Sequence, residues 1–213
     1  MKLLLFLLKV VGISLSGVMA PGPVTALTIA MGKRKPLAGA LIAVGHGIVE
    51  FPLMILIVIG IDRVLKLPAA QIIIGFAGGL FLLTMATGMI RDLSSGGLGQ
   101  DASAGGSPVI MGIVLSAGNP YFLLWWATVG LRLASEVSGL GALAFALFAV
   151  VHWLCDFVWL CALSMASYKG STLLSERRQT QVLLVCATAL RFFGLCFVVD
   201  AVRGLGAWVV GAV

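Results

Sequence analysis

Six apolar segments, roughly residues 3–32, 37–60, 69–91, 108–130, 140–167 and 182–213, take up nearly all of this 213-residue chain. Crossing a hydrocarbon core of ~30 Å takes about 20 helical residues, and each segment is long enough to do so. A soluble domain keeps about a quarter of its residues charged. Here only 10% are charged, 61% are apolar, and the mean hydropathy is +1.14. The bilayer is therefore the solvent, and no stretch is left over for a soluble domain. In lipid a spanning backbone must satisfy its own polar groups, which helices do. The sequence predicts an all-α membrane protein with six transmembrane helices.

The formal charge of +6 comes from 14 Lys and Arg against 8 Asp and Glu. Most of the basic residues lie between apolar runs, which is the signature of cytoplasmic loops and not of nucleic-acid binding. The dense clusters at Lys33–Lys35 and Arg177–Arg178 fall inside if both termini are outside, the orientation favoured here. Lys2 followed by an apolar run resembles a cleavable signal. Because Lys9 interrupts that run and the apolar pattern continues beyond Pro23, a signal-anchor-like first helix is expected instead. Cys155, Cys161, Cys186 and Cys196 form no CxxC pair and are expected to be free thiols. Neither a GxxxxGK[ST] loop nor an HExxH motif occurs. No enzyme activity, cofactor or metal is expected, and any pumping must draw on an ion gradient.

Residues Asp92–Ser107, rich in Gly, Ser and Asp, read as the flexible linker between residues 1–91 and 108–213. Each half holds three apolar segments, an odd number, so the second half must enter the membrane from the opposite side. The halves also repeat: His46, Glu50 and Phe51 return as His152, Asp156 and Phe157, each 106 residues later. The fold expected is two inverted three-helix repeats. From Pro21 to His46 is 25 residues and from Pro120 to His152 is 32, so a longer connection is expected around Ser135–Gly141.

Pro21-Gly22-Pro23 removes two backbone donors within the first segment, and Gly118-Asn119-Pro120 sits inside the fourth. Helices 1 and 4 are therefore expected to be broken. Irregular backbone at membrane depth is tolerated only where protein buries it or a cavity receives it. Asn is a preferred N-cap and Pro a preferred first helical residue, so a helix restarts at each break. Two half-helix N-termini, each with partial positive charge, would suit a carboxylate. His46 and Glu50 share one helix face, as do His152 and Asp156. Intramembrane ionisable groups cost at least ~2.5 kcal/mol on insertion scales and face an interior or a cavity. Expected substrate-binding residues are Pro21, Gly22, Pro23, Glu50, Asn119, Pro120 and Asp156, with His46, His152, Arg191 and Asp200 as a coupling network. Gly75 and Gly79 form a GxxxG read as close helix packing. The five tryptophans are read as interfacial or packing residues.

Ala20-Pro21-Gly22-Pro23, Gly39, Gly45 and Glu50, then Asn119-Pro120, Asp156 with Trp159, and Arg191 with Gly194 and Arg203 resemble the LysE/RhtB family of amino-acid exporters over nearly the whole chain. The resemblance implies acidic residues at Glu50 and Asp156 and a last helix that begins at Arg191. Tyr121 departs from the basic residue that many members carry after Asn-Pro, and His46, His152 and Asp200 lie outside the general pattern. The function implied is secondary active export of an amino acid, basic or small neutral, across the plasma membrane, coupled to protons or another ion. Efflux of a metal ion or other cation is the alternative, since relatives in the wider superfamily resemble metal-ion exporters. Partners are the substrate and membrane lipids, with room for a homo-oligomer and no nucleic acid.

Overall fold

The computed structural model describes residues 2–19, 22–65, 67–94, 106–173 and 175–211, and all regular structure within them is helical. In chain order these are α1 (Lys2–Val18), α2 (Pro23–Gly32), α3 (Ala38–Val58), a short α4 (Asp62–Leu65), α5 (Pro68–Ser94), α6 (Pro108–Ala117), α7 (Pro120–Trp125), a π-helical turn (Trp126–Gly130), α8 (Leu131–Ser138), α9 (Ala142–Leu173) and α10 (Glu176–Gly211). Prolines open α2, α5, α6 and α7, where a missing N–H leaves no hydrogen bond unmade.

By length and composition four helices qualify as membrane spans: Ala38–Val58, Pro68–Arg91, Ala142–Ser171 and Thr180–Trp208. A fifth is the pair Pro108–Ala117 and Pro120–Ser138, bent by 59° at Gly118-Asn119. The shorter apolar helices of the first segment, Leu3–Leu15 and Pro23–Gly32, flank the other break. Ala20 and Pro21, and residues 95–105 of the expected linker, lie outside the described residues.

Three expectations need correction. Asp92–Ser94 continue α5, so helix replaces the start of the expected linker. Ser135–Ser138 belong to α8, so the connection there shrinks to the turn at Gly139–Gly141. The π turn carries the fourth segment past 130 by keeping the helix unbroken. Arg191 does not begin a helix: α10 runs without interruption from Glu176, because nothing between Thr180 and Leu190 breaks a helix.

Two apolar cores sit one above the other. Along α3, Ala38, Ile42 and Ala43 belong to one core, and Leu53, Met54 and Ile57 to the other. Along α9 the order reverses: Ala144, Phe148 and Ala149 join the second core, and Leu160 the first. The two helices therefore run antiparallel, and the polar residues His46, Glu50, His152 and Asp156 lie between the cores. Large apolar side chains such as Leu4, Ile55, Ile73, Leu143 and Val185 cover the outside, as a lipid-facing surface requires.

Small residues allow the close crossings, as is usual where lipid removes the hydrophobic drive between helices. A Cβ built on Gly112 of α6 would collide with the Ile42 carbonyl of α3, and one on Gly45 of α3 with the Val109 carbonyl of α6. On α5 the GxxxG glycine Gly79 meets Gly194 of α10, where added Cβ atoms would come to 2.9 and 3.0 Å from each other's carbonyls. Serines of α9 satisfy carbonyls around the basic turn: Ser164 donates to Pro36, Ser167 to Ile29 and Ser171 to Lys33.

The α3–α6 crossing predicts that Gly112→Ala lowers the thermal stability of the purified protein in detergent, at an overpacking cost of about 1–3 kcal/mol. Gly12→Ala, where a Cβ meets nothing within 4 Å, is expected to cause no loss in the same assay.

Candidate functional site

Glu50 is the hub of the polar layer, its side chain only 1% exposed. Its Oε1 lies 3.2 Å from His46 Nε2, 3.2 Å from His152 Nε2, and 3.2 Å from Trp126 Nε1, which donates to it. Asp156 stands further off, with Oδ1 3.8 Å from His46 Nε2 and Oδ2 4.0 Å from His152 Nε2. The sequence placed each histidine with the acid on its own helix. In the structure His152 sits nearer to Glu50 of the other half than to its own Asp156, because antiparallel α3 and α9 bring the two pairs to one height.

The outer ring atoms are held as well. Ser116 Oγ lies 2.7 Å from His46 Nδ1, and Ser14 Oγ lies 2.6 Å from His152 Nδ1. Each serine sits on the first part of a broken helix and reaches the histidine of the opposite half. The Trp125 ring stacks on His152 at 5.3 Å and 24°, and Phe122 meets His46 edge-on at 4.8 Å. Trp126 is fully buried, and the π turn aims it at Glu50: a Cβ on Gly130 would strike its ring. A π turn widens the helix by one residue per turn and often marks a functional position.

These groups line a cavity of about 330 Å³, at the small end of the ~300–1,000 Å³ usual for small-molecule sites. Gly22, Pro23, His46, Glu50, Asn119, His152 and Asp156 all line it, so seven of the expected site residues meet at one place. Pro120 is the first residue of α7, beside that lining. Pro21 falls outside the described residues. Arg191 is exposed on α10 and does not line the cavity. Asp200 is exposed too, but accepts a 3.3 Å hydrogen bond from the hydroxyl of the cavity-lining Tyr121.

The two breaks are not equivalent. Asn119 Oδ1 accepts from the N–H groups of Tyr121 at 3.0 Å and Phe122 at 3.3 Å, so α7 is capped by its own chain. Gly22 has no side chain to cap α2, and the first turn of α2 at Val24 and Thr25 lines the cavity. The expectation of two half-helix N-termini with free N–H groups therefore fails at α7, which Asn119 caps. Glu50 Oε2 and Asp156 Oδ2 are buried and accept no hydrogen bond from the described residues. His46, Glu50 and Asp156 bring polar atoms within 4.8 Å of one another. With Trp126 donating to the oxygen that both imidazoles face, the arrangement is a buried polar cluster centred on Glu50.

The profile of the LysE type translocators matches residues 15–201, which takes in both breaks and the whole polar layer. The chain belongs to the LysE type translocator family. No curated protein and no solved structure matches it. It is a multi-pass membrane translocator, and its family points to export of amino acids or related small solutes.

Sequence reasoning missed Ser14, Ser116, Trp125 and Trp126. Both serines are isolated hydroxyls in apolar runs shortly before a break, and that placement was the available signal. The tryptophans gave none, because the π turn that directs Trp126 inward has no signature apart from Gly130 four residues on.

Trp126→Phe keeps the ring and removes the N–H from Glu50. A buried carboxylate left short of a donor is expected to cost about 1–3 kcal/mol. Thermal unfolding should register that loss in the wild-type background and much less of it in Glu50→Gln, where the two changes share a partner.

Proposed function

We propose that this LysE family translocator is a secondary active exporter of amino acids across the plasma membrane, driven by a proton or other ion gradient. The observation that carries this reading is a cavity with opposite polarity at two places. Two buried carboxylates with unused oxygens, Glu50 and Asp156, line it, and so does the uncapped N-terminus of α2 at Gly22. An α-amino acid carries the complementary pair of charges. Its ammonium fits between Glu50 and Asp156, and its carboxylate fits the partial positive charge at the N-terminus of α2. Tyr121, Phe122, Trp125 and Phe193 line the rest of the cavity and offer apolar surface to a side chain. Such a lining favours a neutral amino acid over a basic one, since among the described residues no acid beyond Glu50 and Asp156 lines it to receive a second cation. The volume and the aromatic lining likewise suit an organic solute better than a bare metal ion.

Counterflow in proteoliposomes, screened over the common amino acids, tests the reading. Some amino acid is expected to exchange, and Glu50→Gln or Asp156→Asn should weaken its binding by about 100-fold, the scale of removing one partner of a buried charge pair. Full exchange in both variants, or exchange of metal ions alone, would remove these carboxylates from amino-acid binding.

Six crossings in two inverted repeats, residues 1–91 and 108–213 joined by 92–107, are part of the same proposal. In its support, α2 and α7 both begin with proline after an extended N-cap residue, and α3 runs antiparallel to α9. If α1 and α2 together form one crossing, the total is even and both termini lie on one side, outside. Single cysteines at Lys2 and Val213, in a background with the four native cysteines replaced, are expected to react together with an impermeant thiol reagent in intact cells. Opposite accessibility would mean five crossings.

A further inference from the structure

We infer that His46 is the coupling-proton site of this translocator and that Ser116 is the positioning residue that makes it so; this rests on the amino-acid export proposed above. Ser116 Oγ lies 2.6 Å from the Gly112 carbonyl one helical turn back. Two oxygens that close need a hydrogen between them, so the hydroxyl proton is committed to Gly112. Its oxygen can then only accept from His46 Nδ1 at 2.7 Å, which fixes a proton on Nδ1. The opposite nitrogen, Nε2, faces Glu50 Oε1 at 3.2 Å, and that oxygen already accepts from Trp126. With Glu50 ionised that oxygen can only accept, so Nε2 carries a proton too, and His46 is an imidazolium in the empty cavity.

Charge accounting agrees. The groups that face His46 are Glu50 on its own helix, Asp156 on α9, Ser116 on α6 and Phe122 on α7, while His152 on α9 and Trp126 in the π turn meet the same oxygen of Glu50. Among the described residues no Lys or Arg lines the cavity, so the positive charge that balances the carboxylates comes from His46. An incoming ammonium between Glu50 and Asp156 supplies that charge instead. The Nε2–H bond of His46 then breaks, its electron pair stays on the ring, and the proton leaves through the cavity. One ammonium enters as one proton departs, and the reverse exchange reloads the site from the opposite side.

The test compares two fluxes in the same proteoliposomes: counterflow, which needs no proton transfer, and uptake driven by a pH gradient. In Ser116→Ala the Nδ1 proton loses its acceptor, so the pH profile of gradient-driven flux is expected to move to more acidic values by roughly one unit or more. Ser116→Thr keeps the hydroxyl and is expected to restore the wild-type profile. In His46→Gln the ratio of gradient-driven flux to counterflow is expected to collapse. Wild-type protein with no counterflow would reject the export reading itself. Wild-type counterflow together with an unshifted profile in Ser116→Ala would overturn the role of His46 and leave export standing. Flux that follows a gradient of a divalent cation, and not of pH, would overturn it as well. The profile comparison in Ser116→Ala and Ser116→Thr decides even if His46→Gln fails to fold.

Discussion

Everything at the centre of this protein depends on burying one carboxylate, Glu50, between two apolar cores. An isolated charge there would be prohibitively costly, so the surrounding helices are arranged to supply donors. Two imidazole Nε2 atoms, from α3 and α9, and the indole N–H of the π turn converge on a single oxygen. Each of those groups requires a further feature. The imidazoles are held by serines on α1 and α6, and the indole is aimed by a π turn that only a glycine at 130 permits.

The same constraint explains the packing. For Ser116 to reach His46, α6 must lie within backbone contact of α3, and Gly45 and Gly112 make that approach possible. The two apolar cores above and below the polar layer hold α3 and α9 in antiparallel register. Slippage of either helix by one turn would separate His152 from Glu50 and leave a buried charge without its partner. The polar layer thus acts as a register pin for α3 and α9.

The broken helices contribute in unequal ways, and this asymmetry gives the cavity its direction. The α7 end is closed by Asn119, which frees that strand of chain to present Tyr121 and Phe122 to the cavity. At the α2 end Gly22 has no side chain with which to form a cap.

Much of this was legible in the residues. Hydropathy determined the helical class and the positions of the long helices, because a spanning segment must be both apolar and about 20 residues long. Prolines marked where helices start, since their chemistry is local. The 106-residue echo of His46 and Glu50 in His152 and Asp156 singled out the polar layer, because unpaired charge in an apolar run always needs a reason. Tertiary structure alone decided how those four residues pair, which break stays uncapped, and that α10 runs straight through Arg191. Pairing across halves depends on the relative height and rotation of helices more than 100 residues apart. Those are set by glycine-to-backbone contacts and a π turn, neither of which leaves a periodic trace in a single sequence.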